Sequence, residues 1–526
     1  MQLPTIAATL RQRRGLGASR PKRATCDNGC NRDHAWRGPV AVVAQTNSGR
    51  VQGRERDGVL LFAGVPYAAP PTGPRRFRAA AAHEGWADVR DARKFGPAAP
   101  QIASGGMTDP APVRWDEDCL TLNIQTPALD DGARPVLVWI HGGGYRNGQG
   151  AVPWYNGARF AANGDIVAVT INYRLGALGF TDLSRFGDEF RASGVNGLLD
   201  QITALEWVRD NIAGFGGDPG KVTIAGESAG GFSVATLLGS PRASGLFRGV
   251  IAQSGAAHHV LPAEAGALVA DRFLDALDAD DVIGVEAASV DAILAAQTEV
   301  AGALEGGPGL AGELGVPVSA FYPVVGNEVL PQPPLDAISG GLHTDVALLA
   351  GSNHDETTLW GYGEVDEARL VRTAEAYGGP DLIDTYRRTR PEASVEHLMI
   401  ALTTDHMFRI PAIRLAEARA NGGKTWLYQF NWRSRNGRLG ATHALEIPFA
   451  FDNLHQPGVD VFIGDGPSPQ HVADAVHGAW TRFVKAGDPG FPQYSVERRE
   501  TMVFDEASGV VADPDAEERE AWEGRR

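Results

Sequence analysis

The chain has 526 residues, 43% of them apolar and 21% charged, the balance of a soluble globular protein long enough to bury a large core without disulfides. Its formal charge of −16 argues against nucleic acid and anionic membranes as partners, because an acidic surface neither neutralises phosphate nor is drawn to lipid headgroups. No stretch is long and apolar enough to span a bilayer.

Residues 1–41 form a separate segment. Arg11, Arg13, Arg14, Arg20, Lys22, Arg23, Arg32 and Arg37 stand against only Asp27 and Asp33, and the composition reads as a basic, disordered tail. The short apolar piece Ile6 to Leu10 precedes the basic run and is too short for a secretory signal, so the cytoplasm is the expected compartment. Cys26 and Cys30 sit in CDNGC with His34 nearby. A zinc site needs a fourth ligand that is not in place, and no metal is expected.

From Val42 to Pro514 apolar runs alternate with helical segments and turns, which reads as one α/β domain with a mostly parallel or mixed sheet. Pro135 to Ile140 (PVLVWI), Asp165 to Asn172 (DIVAVTIN), Lys221 to Ala225 (KVTIA), Gly249 to Gln253 (GVIAQ) and Val346 to Gly351 (VALLAG) read as strands. Leu198 to Asn211 has helical spacing, with Leu198, Ile202, Leu205 and Val208 on one face. Leu261 to Pro317, rich in Ala, Asp and Glu, reads as a helical lid or cap. Residues 515–526 read as a charged tail.

Gly226-Glu227-Ser228-Ala229-Gly230 matches G-x-S-x-G between a strand and a helix. That context holds a serine in a strained turn with its hydroxyl projecting, and the flanking glycines make room for the neighbouring strand and helix. Serine attack on a carbonyl also needs backbone N–H donors aimed at the oxyanion. His141-Gly142-Gly143-Gly144 follows a strand, in the form taken by lipase and esterase oxyanion loops. Gly143, Gly144 and Ala229 are the expected donors. A phosphate-binding nest uses similar amides, but no Lys-Ser/Thr follows these glycines.

A serine nucleophile needs a histidine base and an acid to hold it. Several histidines follow Ser228. His443, in a glycine-preceded loop, suits the role, and Asp355 and Glu356 directly follow a strand. Spacing does not choose between the two acids. Glu227, beside the nucleophile, is either a solvated or hydrogen-bonded elbow residue or a carboxylate that favours cationic or amine-bearing substrates. Trp154, Phe321, Tyr322, Trp360 and Phe408 are candidates for lining a pocket, although any one of them is more often ordinary core.

Ten ordered blocks resemble the type-B carboxylesterase family, closest in look to its bacterial para-nitrobenzyl esterases. They include FAGVPYAAPPTGPRRF (62–77), EDCLTLNI (117–124), HGGGY (141–145), NYRLGALGF (172–180), GESAGG (226–231), GSNHDE (351–356) and GATHALEIPF (440–449). The resemblance implies an α/β-hydrolase fold, in which a central mostly parallel mixed sheet is flanked by helices and carries cap insertions. It implies Glu356 as the acid, His443 as the base and an acyl-enzyme on Ser228, with no cofactor. It also implies ion pairs Arg76–Glu117 and Arg174–Asp200, and supporting roles near the base and acid for Ser254 and Asp405. Cys119 resembles half of a family disulfide, but the partner position is Ala99, so a buried thiol is expected. Thr357 stands where a glycine often follows the acid. The expected partner is a small ester, acted on by a monomer or homodimer whose base titrates near 6.5 unless burial shifts it. The same machinery also suits carbamates, amides and lactones. A non-catalytic binding protein on this fold is the contrasting class, disfavoured because Ser228, Glu356 and His443 are all retained.

Overall fold

Val136, Val138 and Ile140 of one buried strand enter one apolar core, while the intervening Leu137 and Trp139 enter another. Side chains alternate across a strand, so this run of apolar residues lies in a sheet covered on both faces. A computed structural model describes residues 42–102, 113–304, 319–420 and 422–526. The basic segment, including Cys26 and Cys30, lies outside the described residues, as does 305–317 of the expected cap.

Among the described residues thirteen strands form one sheet. They are β1 (Val42–Thr46), β2 (Gly49–Arg56), β3 (Val59–Pro66), β4 (Arg90–Asp91), β5 (Thr121–Thr126), β6 (Arg134–Ile140), β7 (Val167–Ile171), β8 (Gly217–Glu227), β9 (Gly249–Gln253), β10 (Ala347–Asn353), β11 (Thr425–Phe430), β12 (Glu500–Phe504) and β13 (Gly509–Ala512). The order is β1-β2-β3-β5-β7-β6-β8-β9-β10-β11-β12-β13, with β4 against β2. Strands from β7 to β12 in that order are parallel. The β1–β2–β3–β5–β7 pairs and β12–β13 are antiparallel. This is the mixed sheet expected of an α/β-hydrolase. Every strand named from sequence is present, each within a few residues of its expected ends. The antiparallel flanks were not singled out, since β1, β2 and β13 are partly exposed and Asn123 and Gln125 interrupt the apolar run of the buried β5.

The helix Asn196–Asn211 buries Leu198, Ile202, Leu205 and Val208, the face its spacing marks out. In the described part of the cap, helices Ala263–Leu277, Val282–Ala287 and Val290–Leu304 follow one another. Arg76 ties this cap to the domain. Its guanidinium grips Glu117 through two hydrogen bonds of 2.6 and 2.7 Å and donates to the carbonyls of Glu286 and Ala288 at 2.9 and 2.7 Å. Cys119 is buried as a free thiol, and burial raises its pKa first, with Asp200 adding.

Residues 515–526 depart from the expected tail. Ala516–Ala521 is helical, Trp522 is wholly buried, and its indole N–H donates to the Tyr386 hydroxyl at 2.8 Å. Glu518 is buried and bonded to Arg390 at 2.7 and 2.8 Å. Composition misleads here because Glu518 and Arg519 are buried against the partners Arg390 and Asp513 and one tryptophan supplies the anchor.

Arg174 and Asp200 form a buried, two-pronged pair at 2.7 and 2.6 Å, and Asp200 also accepts the Arg174 backbone N–H at 3.0 Å. Removing one partner strands the other charge in the core. Asp200→Ala is expected to destabilise the fold by roughly 3–5 kcal/mol, read from urea unfolding. The double variant Arg174→Met/Asp200→Leu should cost clearly less.

Candidate functional site

Strand β8 ends at Glu227 and the helix Ala229–Leu238 begins two residues later. Ser228 makes the turn between them at φ 56°, ψ −123°, a conformation costing about 1–3 kcal/mol that persists only where surroundings over-determine it. Its N–H donates to the Gln253 carbonyl at 3.0 Å, and its carbonyl accepts from Phe232 at 2.7 Å. A methyl group on Gly230 would run into the Ile140 carbonyl. The glycine there is a packing requirement, set by the end of β6.

The loop leaving β6 lies against this elbow. A methyl group on Gly142 would sit 3.1 Å from Ser228 Cβ, and Gly143 and Gly144 have φ of 110° and 62°, which glycine adopts without penalty. His141 anchors the loop. Its ring stacks on Tyr173 at 4.6 Å and its Nδ1 lies 2.9 Å from the Gly142 carbonyl, while the Tyr173 hydroxyl donates to the His141 carbonyl at 2.8 Å. Burial lowers the His141 pKa to about 4, so the ring is neutral and donates from Nδ1. The N–H groups of Gly143, Gly144 and Ala229 make no hydrogen bond to another described residue. These three amides, on the loop and the helix start that flank Ser228, are thus unpaired among the described residues.

His443 Nδ1 lies 2.6 Å from Glu356 Oε2, and its backbone N–H donates to the Glu356 carbonyl at 3.1 Å. Glu356 Oε1 accepts the Asn353 N–H at 2.8 Å. Asp355 turns away, to His354 Nδ1 at 2.9 Å, the Ala441 N–H at 2.9 Å and Arg433 at 3.2 Å. Burial would raise the Asp355 pKa, but these partners outweigh it and hold the group at about 2. The two acids left open by spacing therefore differ in what they touch. Thr357, in the position where glycine is frequent, bonds the Thr403 hydroxyl at 2.8 Å and closes the acid turn onto the helix Val395–Thr404.

Glu227 is neither solvated nor remote. Its buried Oε1 comes within 3.0 Å of His443 Nε2, too poorly aligned for a hydrogen bond but close enough to act as a charge. A further carboxylate escaped sequence reasoning. Glu446 accepts from Asn353 Nδ2 at 2.6 Å and from Gln253 Nε2 at 3.0 Å, and Gln253 in turn accepts from Trp480 at 2.8 Å. An acid inside the apolar run ALEIPF, three residues after His443, was the available signal. Burial raises Glu446 to about 7, helped by Glu356, and raises Glu227 to about 8, helped by Glu446 and Glu356 against His443. Burial disfavours the His443 imidazolium, but Glu227, Glu356 and Glu446 together outweigh it and lift His443 to about 9.

Trp360 and Phe408 pack on His443 at 5.0 and 4.8 Å. Tyr322 lies against Phe232 on the same sheet face, and Phe321 is buried in that core. Trp154 is not with them. It packs on Phe462 across the opposite face of the sheet, because it follows the loop onto the Trp139 side. Ser254 supports the elbow's neighbour strand, with φ 46° and its N–H on the Gly351 carbonyl at 2.8 Å, and its hydroxyl bonds no described residue. Asp405 does not support His443 or Glu356. Its carboxylate is taken up by Arg409 at 2.6 and 2.7 Å and by the Tyr386 hydroxyl. It lies one helical turn from Arg409 in a π-helical segment, so the pair closes locally. Among the described residues no group of three or more His, Cys, Asp or Glu side chains could hold a metal ion, and no helix is long and apolar enough to cross a membrane.

Residues 40–517 match the model of the carboxylesterase family. The chain is 35% identical over 492 residues to the para-nitrobenzyl esterase of Bacillus subtilis (strain 168), covering 91% of this chain and 98% of that protein. It is 36% identical over 478 residues to the phenmedipham hydrolase of Pseudarthrobacter oxydans, covering 86% and 92%. Among solved structures, a Geobacillus stearothermophilus carboxylesterase superposes with a TM-score of 0.82 at 37% identity, over 91% of this chain and 99% of that one. With its mixed sheet, its elbow and this similarity along nearly the whole described length, the chain belongs to the carboxylesterase family.

Proposed function

We propose that this protein hydrolyses small carboxylic esters through an acyl-enzyme on Ser228, with His443 as base, Glu356 as its orienting acid, and the amides of Gly143, Gly144 and Ala229 as oxyanion donors. The observation that carries this reading is the strained Ser228 beside three unused amides, in a pocket whose histidine is bound to a carboxylate at 2.6 Å. Ser228 Oγ attacks the ester carbonyl while its proton passes to His443 Nε2. The carbonyl oxygen takes up the negative charge on the three amides, each such donor contributing about 3 kcal/mol to the transition state. Collapse expels the alcohol, which takes the proton from His443. Water then attacks the acyl-enzyme by the same route, releasing the acid and restoring the serine.

Purified Ser228→Ala should lose turnover of p-nitrophenyl butanoate by roughly 10⁴-fold or more, and the stoichiometric burst of nitrophenol should vanish with it. Glu356→Gln should lower kcat far more than Asp355→Asn, whose carboxylate holds the Ala441 amide and Arg433 and does not touch the base. The reverse order would overturn the acid assignment.

The pH dependence follows from the carboxylates around the base. His443 must be neutral to accept the serine proton, and its pKa is raised to about 9. Activity should therefore climb through neutral pH and level off only towards about 9, rather than near the free-histidine value of about 6.5. In Glu227→Gln the nearest of the raising charges is gone, the imidazolium loses stabilisation, and the rising limb of kcat/KM should move to lower pH. A limb that stays put would show that Glu227 does not act on the base.

A further inference from the structure

The Gly142–Gly144 loop has to satisfy two opposed demands. Glycine lets its backbone come against Ser228, but a glycine backbone has little conformational preference of its own, and oxyanion donors act only when they are already aimed. The loop therefore needs to be held. From within, the Gly143 carbonyl closes a turn by accepting from the N–H groups of Arg146 and Asn147, both at 3.1 Å. The chain returns to the base of that turn at Gly148, whose φ of 112° again lies in the region that favours glycine. A methyl group there would sit 2.5 Å from both the Gly142 carbonyl oxygen and His141 Nδ1. Gly148 thus packs directly on the start of the loop, and its position sets where Gly142 lies.

Gln101 holds Gly148 from outside. Its Oε1 accepts the Gly148 N–H at 2.9 Å, and its Nε2 donates to the Gly148 carbonyl at 2.9 Å and to the Ala99 carbonyl at 3.0 Å. A carboxamide carries an acceptor beside two donors. Here it reaches the N–H and the C=O on either side of one Cα, which fixes the φ and ψ of a residue with no side chain to do so. Gln101 is buried, where such bonds are electrostatically stronger than in water. The segment it comes from is anchored in turn. Ala98 donates to the Arg114 carbonyl at 3.1 Å and accepts from the Asp116 N–H at 3.0 Å. The Pro97 carbonyl accepts from Asn172 Nδ2 at 2.8 Å, and Asn172 Oδ1 accepts the Gly150 N–H at 2.7 Å, two residues past the clasp. Cys119 is a free thiol and Ala99 cannot pair with it, so hydrogen bonds rather than a covalent staple make this connection.

We propose that Gln101 is a positioning residue for the oxyanion donors: its clasp on Gly148 fixes the Gly142–Gly144 backbone beside Ser228, and it acts through that backbone rather than by touching substrate. The proposal rests on the esterase reading above and on those amides as the donors.

The test uses the full-length enzyme. Gln101→Met keeps the length of the side chain and removes its hydrogen bonds, while Gln101→Glu keeps the acceptor for the Gly148 N–H and sets an oxygen against the Gly148 carbonyl. In both, kcat on p-nitrophenyl butanoate should fall about ten- to a hundredfold with KM little changed, as a misplacement of about 1 Å in a catalytic array does. p-Nitrophenyl thionobutanoate develops its charge on sulfur and draws less on N–H donors, so the oxo-to-thiono rate ratio should fall as well. A trifluoromethyl ketone, which presents an oxyanion once Ser228 adds to it, should lose affinity in step with kcat/KM. The rising limb of kcat/KM with pH should stay at its wild-type position, because the clasp does not bear on His443. Wild-type kcat in Gln101→Met, equal losses on oxo and thiono esters, or a shifted limb would overturn the positioning role and leave ester hydrolysis standing. Should Gln101→Met fail to fold, Gln101→Glu carries the same comparison. A wild-type enzyme inactive on the oxo ester would overturn the esterase reading and this proposal together.

Discussion

His443 is the one basic group in a desolvated space shared with three carboxylates, and much of the molecule is arranged to keep it there. Glu356 holds Nδ1 at 2.6 Å and Glu227 faces Nε2 at 3.0 Å, while Glu446 lies beneath, bonded to Asn353 and Gln253. Each carboxylate is disfavoured by burial, and each is tolerated because of amide donors or the imidazole beside it. Those donors come from the ends of β9 and β10, so the registry of the parallel strands sets the electrostatics of the site. The strands are covered on both faces by apolar cores, which fixes their register tightly.

The same strand ends also determine the serine. Ser228 borrows the Gln253 carbonyl for its N–H, and the Gln253 side chain bridges Glu446 and Trp480. One residue at the end of β9 thus links the strained elbow to the acid network. Gly230 lets the helix come down on the end of β6, which brings the Gly142–Gly144 loop over Ser228. A shift in any one of these three strands would move Ser228, the Gly142–Gly144 amides and His443 relative to one another. Preorganisation of this kind is what the proposed oxyanion donors would need to act on a developing charge.

The buried Arg174–Asp200 and Asp405–Arg409 pairs work differently from the acids around His443. Their charges are mutually satisfied, and they set geometry without offering a group to a substrate.

The local motifs were legible in sequence because their chemistry is carried by neighbours along the chain. A strand of apolar residues running into G-E-S-A-G dictates the elbow, and three glycines after His141 dictate an exposed run of amides. The α/β class followed from alternating runs, and the apolar helix face from its spacing. What tertiary structure alone decided is which group faces which. Asp355 and Glu356 are adjacent and chemically alike, and only the turn after β10 sends one to His443 and the other to Arg433. Glu446 reads as a stray acid in an apolar run until Asn353 and Gln253 reach it from other strands. Asp405 and Trp154 looked close to the site and are not, because a helical neighbour claims one and the opposite sheet face claims the other. The charged final segment hid a buried tryptophan and a paired glutamate. Propensity and spacing act over a few residues, whereas burial, pairing and pKa depend on contacts between segments far apart in the chain, and those exist only once the sheet has closed.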